Sequence, residues 1–199
     1  MAADAPRRRL SREDRHRQLL DTAWRLISDE GTEALTLGRL AEQSGVTKPV
    51  VYDHFGTRGG LLAALYREFD ARQTALMDAA LAASEPSLRS KAAVIASSYV
   101  ECVLLQGREI PGVIAALASS PELERIKRDY EVGFIEKCRI VLAPFGGTGT
   151  IALPGLWAML GAAEALSHAA VTGEISAAQA RDELFETIVA MVVRNARQA

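Results

Sequence analysis

Between Thr36 and Phe55 the chain reads TLGRLAEQSGVTKPVVYDHF, and this stretch constrains the fold more than any other. Thr36 is a capping residue type placed just before Leu37, Leu40 and Ala41, which recur at helical spacing. Gly45 stops that helix and can take the left-handed backbone a tight turn needs. Thr47 then caps a third helix that begins Lys48-Pro49; proline is tolerated in a first turn because its missing N–H has no partner there. Ala41 is small where the two helices must cross, and Val46 and Val51 fill the gap above Leu37 and Leu40. Ala41, then Gly45 four residues on, then Val51 six further is a far more specific pattern than any one of them. It favours a helix-turn-helix over a plain αα-hairpin.

The flanking sequence is helical throughout. Ser11-Arg-Glu-Asp14 has the form of a helix start, and Leu19, Leu20, Ala23, Leu26 and Ile27 give that helix one buried face before Gly31 ends it. A fourth helix is predicted from about Gly59 or Gly60 to Ala82, and further helices over 87–106, 111–119, 121–143, 151–171 and from 176 to about 197. Ser176-Ala-Ala-Gln179 reads as a capping box, and Gly146-Gly-Thr-Gly-Thr150 as a loop. The expected fold is all-α: a basic arm over 1–10, a three-helix DNA-binding domain over 11–58 and a larger helical domain over 59–199.

Charge and composition narrow the function. The 23 basic and 25 acidic residues leave a net charge of −2, which excludes a strongly basic nucleic-acid coat protein. The basic surplus is local. Residues 1–20 carry six arginines, including Arg7, Arg8 and Arg9, against Asp4, Glu13 and Asp14, whereas 61–199 carry 13 basic and 16 acidic groups. Arg12, Arg15 and Arg17 serve DNA or form an ordinary solvated helix face. Cys102 and Cys138 are far apart with no C-x-x-C pair, so neither a disulfide framework nor a Cys-based zinc site is expected. Reduced thiols and the lack of a leader-like apolar run suit the cytoplasm. The uncharged stretch 140–163 is broken by Pro144, Gly146, Gly147, Gly149, Pro154 and Gly155, which argues against a membrane span.

The run GVTKPVVYDHFGTRGGLLAAL resembles the third helix and following turn of the tetracycline-repressor (TetR) family, matching at Gly45, Val46, Thr47, Val51, Tyr52, His54, Phe55, Arg58, Leu61 and Leu62. The resemblance covers roughly residues 11–65. It implies that Thr36 and Arg39 contact phosphate, that Thr47, Lys48, Pro49, Val50 and Tyr52 lie in or beside the major groove, and that His54 and Arg58 anchor the DNA backbone. Residue chemistry agrees: Lys48 can donate to guanine, Val50 can touch a thymine methyl, and Tyr52 can donate to phosphate. Two positions depart from the family pattern. Asp53 puts an acid on the reading helix, to pair locally or to accept from cytosine, the local role being preferred. Gly59-Gly60 replaces charged helix starters, so a looser entry to the fourth helix is expected.

The resemblance further implies a homodimer on a two-fold operator of double-stranded DNA, with Leu160, Ala163, Leu184, Ile188 and Met191 on the dimer surface. Monomer core is the alternative for that stripe. A small, largely apolar effector is expected in a cavity lined by Tyr99, Cys102, Val103, Phe134, Cys138 and Trp157, each of which also fits a core role. Glu101 and Glu164 read as solvated unless buried against a cationic ligand. The expected function is a ligand-responsive repressor; an activator or a regulator that senses nothing shares the same sequence features. An all-α enzyme has little support: His16, His54 and His168 are scattered, no metal-spaced cluster appears, and the 146–150 loop lacks a phosphate-cradling pattern. No cofactor or metal is expected.

Overall fold

A computed structural model describes residues 10–118, 120–147 and 150–198. The Arg7–Arg9 arm and the centre of the 146–150 loop lie outside the described residues. Among the described residues there are helices and no strands: α1 Arg12–Glu30, α2 Leu37–Ser44, α3 Lys48–Phe55, α4 Arg58–Ala83, α5 Leu88–Glu109, α6 Pro111–Leu117, α7 Pro121–Leu142, α8 Leu153–Thr172 and α9 Ala177–Gln198. Short 3-10 turns at Thr32–Ala34 and Ala143–Phe145 are additions that three residues cannot announce through periodicity. The chain forms two compact units: residues up to Tyr66 with Gly112–Glu122, and Arg67–Pro111 with Leu123 onwards. No described helix is long and apolar enough to cross a membrane.

The first unit closes around Leu19, Ala23 and Leu26 of α1, Leu37, Leu40 and Ala41 of α2, Val51 and Phe55 of α3, and Leu61, Leu62 and Leu65 of α4, all buried. The Ser11 hydroxyl accepts from the Asp14 N–H at 3.0 Å and starts α1. The Thr36 hydroxyl accepts from the Arg39 N–H at 3.1 Å and starts α2. Gly45 sits at φ +64°, and the Val46 N–H donates to the Ala41 carbonyl at 3.0 Å, so the turn closes as its sequence requires. Thr47 departs from expectation: it occupies the N-cap position of α3, yet its side chain makes no capping hydrogen bond. The entry to α4 departs too, in being tight rather than loose. The Thr57 hydroxyl accepts from the Gly60 N–H at 3.0 Å, and a Cβ on Gly60 would collide with the Phe55 carbonyl. Glycine is therefore what lets α3 turn into α4 here.

In the second unit α5, α8 and α9 pack on one another. Ile95, Ala96, Leu156, Met159, Ala180 and Val192 form part of one apolar core. The five residues expected on a dimer surface, Leu160, Ala163, Leu184, Ile188 and Met191, belong to this same core and are at most 4% exposed within the single chain. The correction has a simple cause: an apolar stripe that pairs α8 with α9 inside a protomer has the same spacing as one that pairs protomers. The capping box is present in both directions. The Gln179 N–H donates to the Ser176 hydroxyl at 3.1 Å, and the Ser176 N–H donates to Gln179 Oε1 at 2.8 Å.

Asn195 of α9 ties down the segment ahead of α8. Its Oδ1 accepts from the Ala152 N–H at 2.9 Å, and its Nδ2 donates to the carbonyls of Gly146 and Thr150 at 2.9 and 2.7 Å. No apolar side chain can replace these bonds. Asn195→Ala is expected to lower unfolding free energy by about 2 kcal/mol, read as a drop in denaturant midpoint at unchanged slope.

Candidate nucleic-acid interface

Helix α3 is divided between two tasks. Val51 and Phe55 point into the core of the first unit, which fixes the helix's rotation about its axis. Lys48, Pro49, Tyr52 and Asp53 then project outward, with Thr47 just ahead of them; Tyr52 is 52% exposed. Val50 is half-buried. Tyr52 and Lys48 make no hydrogen bond or ion pair among the described residues. The Lys48 stem lies across the bare backbone of α2: a Cβ on Gly38 would stand 3.6 Å from Lys48 Cε. Two short helices and one turn thus present a threonine hydroxyl, an ammonium and a phenol on one convex surface, a set suited to phosphates and base edges.

The other sequence-predicted residues are partly engaged within the unit. Exposed Thr36 caps α2. Arg39 reaches Glu30 at 2.8 Å and Glu42 at 3.7 Å, and the Glu30 hydrogen bond raises its pKa above the ordinary arginine value. Arg58 donates from Nε to the Leu35 carbonyl at 2.9 Å and from Nη2 to the Thr32 carbonyl at 2.8 Å. It therefore braces the loop from which α2 starts. The Asp53 carboxylate makes no hydrogen bond or ion pair among the described residues, whereas its backbone carbonyl accepts from Arg12 Nη2 at 3.4 Å. Arg17 lies 3.6 Å from Glu13, an exposed pair of small energetic consequence.

His54 does not stand alone. Its ring centroid lies 5.5 Å from that of His16 on α1, and His16 lies 5.2 Å from Phe55. Burial, followed by the positive potential of His16 and Arg12, pushes the His54 pKa below the ordinary histidine value. His16 gave no sequence signal, because one histidine on an amphipathic helix looks like any solvated residue.

In the second unit α4, α5 and α7 enclose a cavity of about 230 Å³. It brings together Tyr99, Cys102 and Phe134 of the six expected lining residues. The other three lie elsewhere. Cys138 is fully buried in the core, and Val103 packs against that core. Trp157 is 38% exposed, with the Arg128 guanidinium 5.5 Å over its ring. Glu101 and Glu164 are exposed. The lining that sequence reading missed comes from α4 and α7: Thr74, Met77, Asp129, Tyr130 and Lys137. Burial pushes the Cys102 and Cys138 thiols up to about 12, so both are inert at neutral pH.

Residues 19–65 match the family described as bacterial regulatory proteins, tetR family. The helix-turn-helix and its outward residues lie wholly inside that match. Over that segment the chain is similar to the tetR family. One relative, the HTH-type transcriptional activator FasR of Mycolicibacterium smegmatis, is 36% identical over 87 residues, 43% of this chain and 40% of that protein. The HTH-type transcriptional regulator BetI of Rhizobium meliloti is 33% identical over 112 residues, 56% of this chain and 53% of that one. This chain thus spans about half the length, or less, of the curated relatives it matches. A transcriptional regulator from Saccharomonospora viridis, solved in complex with choline, aligns over 88% of this chain and 96% of its own with a TM-score of 0.61. At 18% identity that likeness is one of fold.

The lowered pKa of His54 sets the sign of a pH effect. Between the folded value and the ordinary 6.5, the unfolded chain binds more protons, so stability is complete above 6.5 and declines as the pH falls through the folded value. Chemical denaturation from pH 8 down to pH 5 is expected to show this loss. His54→Gln is expected to flatten the profile.

Proposed function

We propose that this chain is a ligand-responsive transcriptional repressor of the tetR family. As a homodimer it grips a two-fold symmetric operator, and it lets go when a small, largely apolar molecule fills the cavity. The observation that carries the DNA reading is the orientation of α3, with Val51 and Phe55 anchored inward and Thr47, Lys48, Pro49 and Tyr52 free outward. Lys48 and Tyr52 face the major groove with Pro49 and Val50 beside them. Thr36 and Thr47 meet phosphates at the two helix starts, as do Arg39, once it exchanges Glu30 for phosphate, and His54. Arg58 acts through the loop it braces.

A lone helix-turn-helix reads too few base pairs for tight binding, so a paired arrangement is the natural one. With the buried stripe excluded, the outer face of α8 supports the dimer: Leu153, Trp157, Ala158, Gly161, Ala165 and Val171 are exposed on one mainly apolar strip, in which Glu164 and His168 are the polar members. Gly161 has open space around it, which admits a close helix–helix approach. The route from effector to DNA is supported by chain continuity. Helices α4 and α7 each begin in the first unit and continue in the second, where they line the cavity. A coupling of about 1–3 kcal/mol is enough for 5–150-fold release.

The operator test uses promoter DNA beside the chain's own gene. A salt-sensitive, sequence-selective complex is expected, and Lys48→Ala is expected to weaken it and reduce the salt slope by about one. A reporter silenced by the bound protein supports repression; one switched on by it makes the protein an activator. Gly161→Arg is expected to leave the protomer folded while halving the sedimenting mass and weakening operator binding.

A further inference from the structure

The cavity adjoins a second cleft in the same unit, lined by Arg67, Asp70, Ala71, Ile126 and, in common with the cavity, Thr74, Asp129 and Tyr130. Asp70 sits on the stripe of α4 that runs through Leu62, Tyr66 and Met77, where an apolar residue is the ordinary choice. It is half-buried and has no hydrogen bond or ion pair among the described residues. The Tyr130 hydroxyl and the Thr74 hydroxyl are likewise unengaged there. Beyond them three rings pack together: Tyr130 lies 5.9 Å from Phe134, and Tyr99 lies 5.0 Å from Phe134. A carboxylate without a partner at the mouth of an aromatic chamber is a costly arrangement unless something arrives to complete it. The cations nearby are not placed to do so. Lys137 is ion-paired with Asp78, and Arg67 is exposed.

We propose that this joined cleft takes an organic ammonium ion, its positive charge met by Asp70 and its apolar body resting on the rings of Tyr130, Tyr99 and Phe134. The proposal rests on the effector reading above and names the ligand class for it. Carboxylate and aromatic faces act together on such a ligand: the first supplies charge, and the ring quadrupoles attract the alkyl groups around the nitrogen. An anion would meet Asp70 and Asp129. A neutral ligand would leave Asp70 unmatched. Asp70 holds its proton up to about pH 7 because burial disfavours its charge. The groups facing it are Arg67 on its own helix, Asp129 and Tyr130 on α7, and Cys102 on α5, whose thiol Asp70 helps keep protonated. An arriving ammonium favours the ionised carboxylate, so binding expels a proton and strengthens as pH rises through 7.

The test is calorimetric titration of the full chain with choline, with its uncharged carbon isostere 3,3-dimethylbutan-1-ol and with octanoate. Expected is binding of choline roughly tenfold tighter than the isostere, tightening from pH 6 to pH 8, with proton release shown by the dependence of the heat on buffer. Asp70→Asn is expected to erase both the preference and the pH dependence, and Asp70→Glu to keep them. The wild-type pH profile carries the test if neither variant folds. Equal binding of isostere and ammonium, preference for octanoate, or no choline binding at millimolar concentration overturns the proposal. Release of the operator by a neutral or anionic compound would overturn it while leaving the effector reading intact. Asp70-dependent choline binding without any effect on the operator complex would uphold it and defeat the effector reading.

Discussion

The contact between α2 and α3 is what the first unit depends on. Ala41 and Gly45 allow the helices to meet, Val51 is buried completely at the junction, and the Val46 N–H closes the turn onto the Ala41 carbonyl. Because this packing fixes the rotation of α3, it also fixes which side chains face out. A bulky residue at Ala41, or any Cβ at Gly45, would disturb the rotation and so the whole outward surface. Binding residues on such a short helix have no other source of precision.

Several charged groups that look available in sequence serve that same geometry. Arg58 holds the loop ahead of α2, and Arg39 is clamped by Glu30 near its start. Arg12 reaches across to the carbonyl of Asp53. Among the described residues, the unpaired cation on the outward face of α3 is Lys48, and its stem is steadied by the absence of a side chain at Gly38. In the proposed DNA complex, electrostatic attraction to the polyanion and mechanical support of α3 are thus divided among different basic residues. Mutational effects on DNA affinity should divide in the same way, with support residues altering stability and contact residues altering salt dependence.

Much of this was legible in the chain itself. Capping residues, positive-φ glycines and the Ala41–Gly45–Val51 spacing act locally, so the starts of α1, α2 and α9 and the turn at Gly45 could be read directly. The second unit was harder. Leu160, Ala163, Leu184, Ile188 and Met191 form a clear stripe, but a stripe says only that a face is covered, and here α5, α8 and α9 cover one another. The cavity lining was half visible. Tyr99, Cys102 and Phe134 sit on α5 and α7 as expected, while Cys138 turns into the core from another face of α7 and Trp157 lies on α8, which lends nothing to the lining. Asp70 left a readable trace, an acid on an apolar stripe of α4, which helical register would have exposed. Thr47 had the right residue type for a cap, yet its hydroxyl is unused, since capping also depends on a rotamer that sequence does not specify.

The central claim is that the outward face of α3 enters the major groove of duplex DNA, twice per assembly. Methylation interference at guanine N7 on a bound promoter fragment tests it directly. The account predicts two short clusters of interfering guanines on one face of the duplex, centred about one helical turn or a multiple apart. Interference spread without periodicity, or confined to the minor-groove face, would contradict it.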